Sequence, residues 1–321
     1  MITSHTKPHI QVLCCTDNNY APYTGVMLTS LLENNRNNKI EIWVAATNIN
    51  SDNEQKLSSL SDIYNCKLHI IRVTQEQLDR LPASQGGWPK EAYLRLSVLH
   101  DLPHDMKKVL YLDVDMIVNT NLRYLWETPM EDNAIVAVAD INNYITDAQS
   151  RLGIQSPYFN SGVMVMELDR CRKLMLKEQC LSIIATSQLE YPDQDALNMV
   201  LDGHVTYVSP KWNLVDGYLL KHNQSKIPAN IRSIVKSSAK GRRKAIIHYT
   251  GIYKPWKETH LRLLHPLRST WYRYYRKSPW KDTNICNGAP SSIRRRLSIT
   301  KLMALYRLGI KTPYNENWAL L

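Results

Sequence analysis

The chain has 321 residues, with 40 Lys+Arg against 29 Asp+Glu for a formal net charge of +11, and 44% of its residues are hydrophobic. That length and composition suit a sizeable core, and 21% charged residues without a low-complexity tract exclude a disordered chain. No apolar run reaches the roughly 18 residues that a spanning helix needs, and the polar stretch Met1–His9, followed by a short apolar run ending at Cys15, does not read as a signal peptide, so export is not expected.

The charge is divided unevenly. Residues 1–220 carry 18 Lys+Arg and 26 Asp+Glu, a balance of −8, whereas residues 221–321 carry 22 and 3, a balance of +19. An acidic body with a basic tail region predicts two separate jobs. The six cysteines, Cys14, Cys15, Cys66, Cys171, Cys180 and Cys286, include no C-x-x-C pair and no zinc-type spacing. A reduced, cytoplasmic protein is the expectation.

In chain order, Ile10–Cys15 reads as a buried strand followed by the turn Asp17-Asn18-Asn19, and Tyr23–Leu32 has helical apolar spacing. Lys39–Ala46 reads as a strand, Asp52–Leu60 as a polar helix and Lys67–Val73 as a strand. This alternation implies a parallel sheet with helices on both faces. Gly86-Gly87-Trp88-Pro89 interrupts the pattern before a helix containing Tyr93, Arg95 and Leu99. Further strands are expected at Lys108–Leu112, Ala134–Ala139 and Gly162–Glu167, a helix at Asp193–Leu201, and a last strand at Ala245–Tyr249; the pattern loosens from about Asn213.

The sharpest local feature is Asp113-Val114-Asp115 at the end of an apolar strand. Positions two apart in a strand face the same way, and the carboxyl end of a parallel strand is where such sheets bind ligands. Two bare carboxylates side by side repel, and a divalent cation resolves the conflict. Oxygen ligands favour Mg²⁺ or Mn²⁺, and the imidazole of His248, at the end of another apolar segment, tilts the choice to Mn²⁺. Gly251 permits close backbone approach, and Lys254 offers a point charge for a phosphate. Taken singly, each of these has a structural reading: solvated acids, a packed imidazole, an ordinary Asn-Ser-Gly turn at residues 160–162, and Asp193 as a helix cap.

Taken together and in order, Asp17-Asn18-Asn19-Tyr20, Tyr93-x-Arg95, Leu110-Tyr111-Leu112-Asp113-Val114-Asp115, Phe159-Asn160-Ser161-Gly162, Asp193-Gln194-Asp195 and His248-Tyr249-x-Gly251-x-x-Lys254-Pro255-Trp256 resemble glycosyltransferase family eight over about residues 9–256. The family includes bacterial lipopolysaccharide glucosyl- and galactosyltransferases. The resemblance implies an α/β, GT-A nucleotide-diphospho-sugar transferase fold, a Rossmann-like, mixed but mainly parallel sheet flanked by helices, with residues 1–256 as the catalytic domain and a basic helical C-terminal extension. It implies a UDP-hexose donor, Mn²⁺ with Mg²⁺ as the alternative, and retention of anomeric configuration. By the same resemblance Asp113, Asp115 and His248 hold the metal. Asp17, Asn19 and Tyr20 contact the nucleoside, and Lys254 and the Gly251 backbone contact the diphosphate. Val114 and Ser161 touch the donor, and Arg95, Asp140, Asn160, Asp193 and Gln194 surround its sugar. Gln194, a poor nucleophile, falls where a carboxylate nucleophile would be sought, so attack from the face vacated by the leaving group is expected, with Asp193 and Gln194 as the residues nearest the chemistry.

Residues 257–321 lie beyond the motifs. Trp271-Tyr272-Arg273-Tyr274-Tyr275-Arg276-Lys277 and the stretch from Arg294 to Leu308 combine cations with aromatic and apolar residues, as suits an anionic membrane surface, against the alternative of a helix packed on the body. No nucleic-acid-reading module is present. The expected protein is thus a transferase acting on a glycan or glycolipid acceptor at the inner face of the cytoplasmic membrane. Alternatives are a family member with a soluble or protein acceptor, a D-x-D phosphatase (disfavoured because Met116-Ile117 follows the motif), and a non-enzymatic binder of anionic polymers.

Overall fold

A computed structural model describes residues 7–239, 245–250, 254–257, 265, 267–283, 285 and 301. The described residues form ten strands: β1 (His9–Asp17), β2 (Lys39–Thr47), β3 (Lys67–Val73), β4 (Lys108–Leu112), β5 (Met116–Val118), β6 (Ile135–Ala139), β7 (Phe159–Glu167), β8 (Val205–Tyr207), β9 (Leu214–Val215) and β10 (Ile246–His248). Seven form one sheet in the order β3-β2-β1-β4-β7-β6-β8, and β5-β10-β9 form a second. In the larger sheet β7 runs antiparallel to both β4 and β6, while the other pairings are parallel. The sheet is therefore mixed and mainly parallel, as the family resemblance implies, with β7 as its antiparallel strand.

Alternation along the central strands builds a core on each face of the large sheet. Ile10, Val12, Cys14, Leu110, Leu112, Val163 and Val165 join one cluster with helix Ala21–Asn34 and the small sheet. Leu13, Val109, Tyr111, Met164 and Met166 join the other, with residues 94–102 and helices Leu176–Thr186 and Pro192–Val200. The helix expected after Pro89 is present as three abutting short helical segments, 3-10 at Lys90–Tyr93, α at Leu94–Ser97 and 3-10 at Val98–His100. Phe159-Asn160-Ser161-Gly162 is not a turn but the first half of β7.

The small sheet positions the site. β5 follows the D-x-D segment directly and pairs antiparallel with β10, opposing Met116 to His248. Ser30 on helix Ala21–Asn34 accepts a 2.9 Å bond from the Val118 N–H, tying this sheet to the body. Behind it the described part of the basic region packs inward. Helix Arg268–Tyr275 lies against helix Ala21–Asn34, with Trp271 and Tyr274 buried, and Trp256 stacks on Tyr23 at 4.5 Å. The stretch from Arg294 to Leu308 lies, except for Lys301, outside the described residues, as do Cys286 and Gly251. Among the described residues no helix is long and apolar enough to cross a membrane.

Candidate active site

β4 ends at Leu112, and the chain leaves the large sheet through Asp113-Val114-Asp115 before entering the small one. The turn is fixed by backbone bonds at both ends, from Asp113 N–H to the Gly162 carbonyl at 2.8 Å and from Tyr249 N–H to the Asp115 carbonyl at 3.0 Å. His248, at the end of β10, brings its Nε2 to 3.0 Å from Asp115 and 3.5 Å from Asp113. One ligand atom from each of Asp113, Asp115 and His248 lies within 4.8 Å of the others, a spacing that a single cation can bridge.

The imidazole is oriented from behind. Its Nδ1 lies 2.9 Å from Asn213 Oδ1, while Asn213 Nδ2 donates to Asn160 Oδ1 at 2.7 Å. With its amide committed this way, Asn213 offers only an acceptor, so Nδ1 carries the proton and Nε2 faces the carboxylates. Asn160 in turn donates to Asp140 Oδ2 at 2.8 Å. The carboxylates, the histidine and three amides or acids behind them thus form one connected network.

Electrostatics in the cluster are strongly coupled. Burial alone would raise Asp115, but Lys254 and His248 outweigh it and hold the carboxyl well below the usual carboxylate range. Burial pulls His248 down, and Asp115 more than reverses it, so the imidazole titrates above its ordinary value. Lys254 behaves likewise: burial lowers it, and Asp115, which it contacts directly, raises it. Burial raises Asp140 and Asp193.

A second line of polar contacts leads away from Asp113. Arg95 spans Asp113 at 2.8 Å and Asp193 at 3.0 Å, and also donates to Ser161 Oγ at 3.0 Å. Its guanidinium lies over the Tyr111 ring, and the Tyr111 hydroxyl donates to Asp113 at 2.9 Å. Ser161 N–H donates to Gln194 Oε1 at 3.0 Å, and Gln194 Nε2 donates to the Tyr158 hydroxyl at 3.0 Å. That hydroxyl donates to Asp195 at 2.6 Å, which Arg151 grips through two nitrogens. Asp193, Gln194 and Asp195 open helix Pro192–Val200, where backbone N–H groups and the helix dipole favour acids.

The turn after β1 supplies the remaining predicted residues. Asp17 accepts from the Tyr20 N–H at 2.6 Å, and Asn19 and Tyr20 are exposed. Burial raises the Tyr20 phenol, with Lys254 and Asp115 both close enough to act on it. Val114 is half-buried between the two carboxylates. Gly86 and Gly87 take φ values of +56° and +81°, and exposed Trp88 donates from its indole to the Glu190 carbonyl at 3.1 Å, beside the start of helix Pro192–Val200.

Of the predicted residues that are described, Asp113, Asp115, His248, Lys254, Arg95, Asp193, Gln194, Asn160, Ser161 and Asp140 are brought into one continuous network. Asn213, Tyr158 and Arg151 belong to the same network and were not expected. Asn213 carried one signal, an amide directly before the apolar pair Leu214-Val215. Gly162 is required by space, because a Cβ there would lie 2.7 Å from an Asp113 oxygen.

The comparisons with known proteins agree with this architecture. The solved structure of galactosyltransferase LgtC, in complex with donor and acceptor sugar analogs, superposes with a TM-score of 0.71 at 22% identity, covering 89% of this chain and 99% of that one. The fold is thus the GT-A fold. The chain is 28% identical over 284 residues to lipopolysaccharide 1,2-glucosyltransferase of Escherichia coli (strain K12), covering 87% of this chain and 81% of the relative. General stress protein A of Bacillus subtilis (strain 168) is 26% identical over 278 residues, 84% and 94% of the two chains. The profile of glycosyl transferase family 8 matches residues 11–260, a span that includes both carboxylates, the histidine and the lysine of the cluster, and the chain belongs to that family.

Proposed function

We propose that the protein is a retaining hexosyltransferase that moves glucose or galactose from a UDP-sugar to a hydroxyl of a lipopolysaccharide-like or other lipid-linked glycan. The observation that carries this reading is the convergence of Asp113, Asp115 and His248 within 4.8 Å, beside Lys254. Two carboxylates and an imidazole suit Mn²⁺, with Mg²⁺ second, and Asn213, by holding Nδ1, turns Nε2 of His248 toward the carboxylates as the nitrogen that would bind the metal. Bound by these three side chains, the metal supplies Lewis acidity to the departing diphosphate.

The chain's own groups do the rest. Lys254, next to Asp115, brings its charge to the diphosphate, which the Gly251 backbone contacts by the family resemblance. Asp17, Asn19 and Tyr20 take the nucleoside at the end of β1. Arg95, Asp140, Asn160, Ser161, Val114, Asp193 and Gln194 surround the hexose. Trp88 and its two glycines close over the site and exclude water.

Retention by same-face attack is favoured by how Gln194 is held. Its carbonyl oxygen already accepts from the Ser161 N–H, its amino group donates to Tyr158, and a neutral amide is a weak nucleophile. The neighbouring Asp193 carboxylate is occupied by Arg95. The acceptor hydroxyl then forms its bond to the anomeric carbon as the bond to the phosphate oxygen breaks, and its proton passes to a phosphate oxygen of the leaving UDP. A covalent sugar adduct trapped on Gln194 or Asp193 overturns this step.

The excess cations of residues 221–321 hold the enzyme at the anionic inner face of the cytoplasmic membrane, near its acceptor. A screen of UDP-sugars for Mn²⁺-dependent UDP release without acceptor tests the central reading. UDP-glucose or UDP-galactose is expected to turn over, and Asp113→Ala to abolish it. No turnover with any UDP-sugar, or near-wild-type turnover by Asp113→Ala, refutes the assignment.

A further inference from the structure

Among the described residues beyond Trp256, Trp280 has contacts that run toward the site rather than toward solvent. Trp280 is 1% exposed and sits flat against helix Ala21–Asn34 at Gly25. A Cβ on Gly25 would lie 2.0 Å from the indole ring, so only glycine admits it. The indole Nε1 donates to Asn53 Oδ1 at 3.0 Å, joining positions 227 residues apart.

That bond decides which way the Asn53 amide points. An indole N–H is a donor only, so Asn53 must present its oxygen to Trp280 and its amino group to the opposite side. There Asn53 Nδ2 donates to Asn18 Oδ1 at 3.0 Å and to the Asn18 carbonyl at 3.1 Å. Asn50, the cap of helix Ser51–Tyr64, donates its N–H to the same Asn18 Oδ1 at 3.0 Å and accepts from the Asn53 N–H at 2.8 Å. Asn18 lies in the middle of the Asp17–Tyr20 turn. The same C-terminal segment touches the far side of that turn, since the Ile285 carbonyl accepts from the Tyr23 hydroxyl at 3.1 Å and Tyr23 packs edge-on against Tyr20 at 5.4 Å.

We propose that Trp280 is a positioning residue for the donor: through Asn53 and Asn18 it holds the Asp17–Tyr20 turn in the shape that receives the nucleoside. The proposal rests on the reading of that turn as the nucleoside site. The C-terminal segment is on this account a part of donor recognition, and not only an attachment to a surface. Removing the indole N–H while keeping an aromatic ring leaves Asn53 free to rotate its amide and Asn18 held by the Asn50 N–H alone. The turn then samples other shapes, and donor affinity falls by the share of time it spends in them.

The test uses the full-length protein with Mn²⁺ and compares Trp280→Phe, Asn53→Asp, the double variant, and Tyr274→Phe as a control. Asn53→Asp keeps an acceptor for Trp280 but cannot donate to Asn18. Tyr274 anchors the same segment elsewhere, accepting from Asn34 and donating to Asn119 at 2.7 Å each. Trp280→Phe is expected to raise the UDP dissociation constant and the donor KM by roughly three- to tenfold, the effect of about one hydrogen bond, with kcat at saturating donor unchanged. Asn53→Asp is expected to do at least as much, the double variant no more than Asn53→Asp alone. Tyr274→Phe is expected to lower thermal stability without moving the donor KM. An unchanged UDP affinity in Trp280→Phe, additive effects in the double variant, or an equal rise in KM from Tyr274→Phe each overturns the positioning role. Failure of the wild-type protein itself to bind UDP overturns instead the reading of the turn on which the proposal stands.

Discussion

A Cβ built on Gly162 falls 2.3 Å from Cε1 of His248, closer than any carbon–carbon contact allows. The glycine in the middle of β7 is therefore the space into which the imidazole fits, and Gly162→Ala must displace either the ring or the strand. Its backbone is not in the left-handed region, so the effect isolates packing from backbone strain. Metal-dependent turnover is expected to fall at least roughly a hundredfold, as for other displacements on the order of an ångström at a reacting centre. Far-ultraviolet circular dichroism should stay native. A folded Gly162→Ala enzyme with wild-type turnover would show that His248 has no part in the chemistry.

Asn213 holds the same ring through Nδ1, from a position outside the D-x-D cluster. Partners of this kind typically account for about 10- to 100-fold in metal affinity. Asn213→Ala is expected to shift a Mn²⁺ activation curve to higher concentration by such a factor while leaving the maximum at saturating metal largely intact. A depressed maximum with an unshifted midpoint would instead place Asn213 in the chemical step.

Arg95 is the shared partner of two acids on different elements, Asp113 and Asp193. Arg95→Met leaves both carboxylates facing each other without the cation that compensates them. Breaking a buried pair in this way costs about 3–5 kcal/mol, so the variant is expected to unfold at markedly lower urea concentration and to lose activity. Arg95→Lys restores the charge but not the fork, and is expected to recover stability more than turnover. Equal urea midpoints for Arg95→Met and wild type would contradict the pairing.

Alkaline pH is expected to weaken the fold. Burial pushes Cys15 and Cys171 up to about 12 and Cys66 up to about 11 from an ordinary value of 9.0, and it raises the Tyr111 and Tyr249 phenols well above theirs. Each group keeps its proton longer when folded than when unfolded. The stability it contributes is therefore full below its unfolded value and is lost as the pH rises through the folded one. Thermal midpoints are expected to fall steadily above about pH 9, and the native thiols to resist alkylation at pH 8. A flat midpoint from pH 8 to 11 would contradict the burial of these groups.

The parts of this molecule that could be read from the sequence are those with local causes. Lys67–Val73 mixes apolar and polar residues over a strand's length, Lys108–Leu112 is a short apolar run, and the D-x-D pair sits two residues apart just after the latter. What escaped reading depends on distant partners. Leu214–Val215 is a strand only because β10 lies beside it, and Asn160-Ser161-Gly162 is extended because β6 pairs with it at Asn160 and the Asp113 N–H bonds the Gly162 carbonyl. Asn213 matters because His248, 35 residues onward, folds back over it. The aromatic residues near the C-terminus suggested a membrane interface by composition, whereas Trp271, Tyr274 and Trp280 are core residues, a distinction that rests on tertiary partners such as Asn53 and Gly25.

The cluster draws its carboxylates from the link between two sheets and its imidazole from a strand 133 positions further along the chain. The seven-stranded sheet, whose last strand ends at Tyr207, can close before that strand has been made. During synthesis, a nascent chain can therefore carry a nearly complete scaffold and still lack His248, the third member of the cluster. Competence arrives late, when β10 docks between β5 and β9, and it arrives together with the packing of the small sheet.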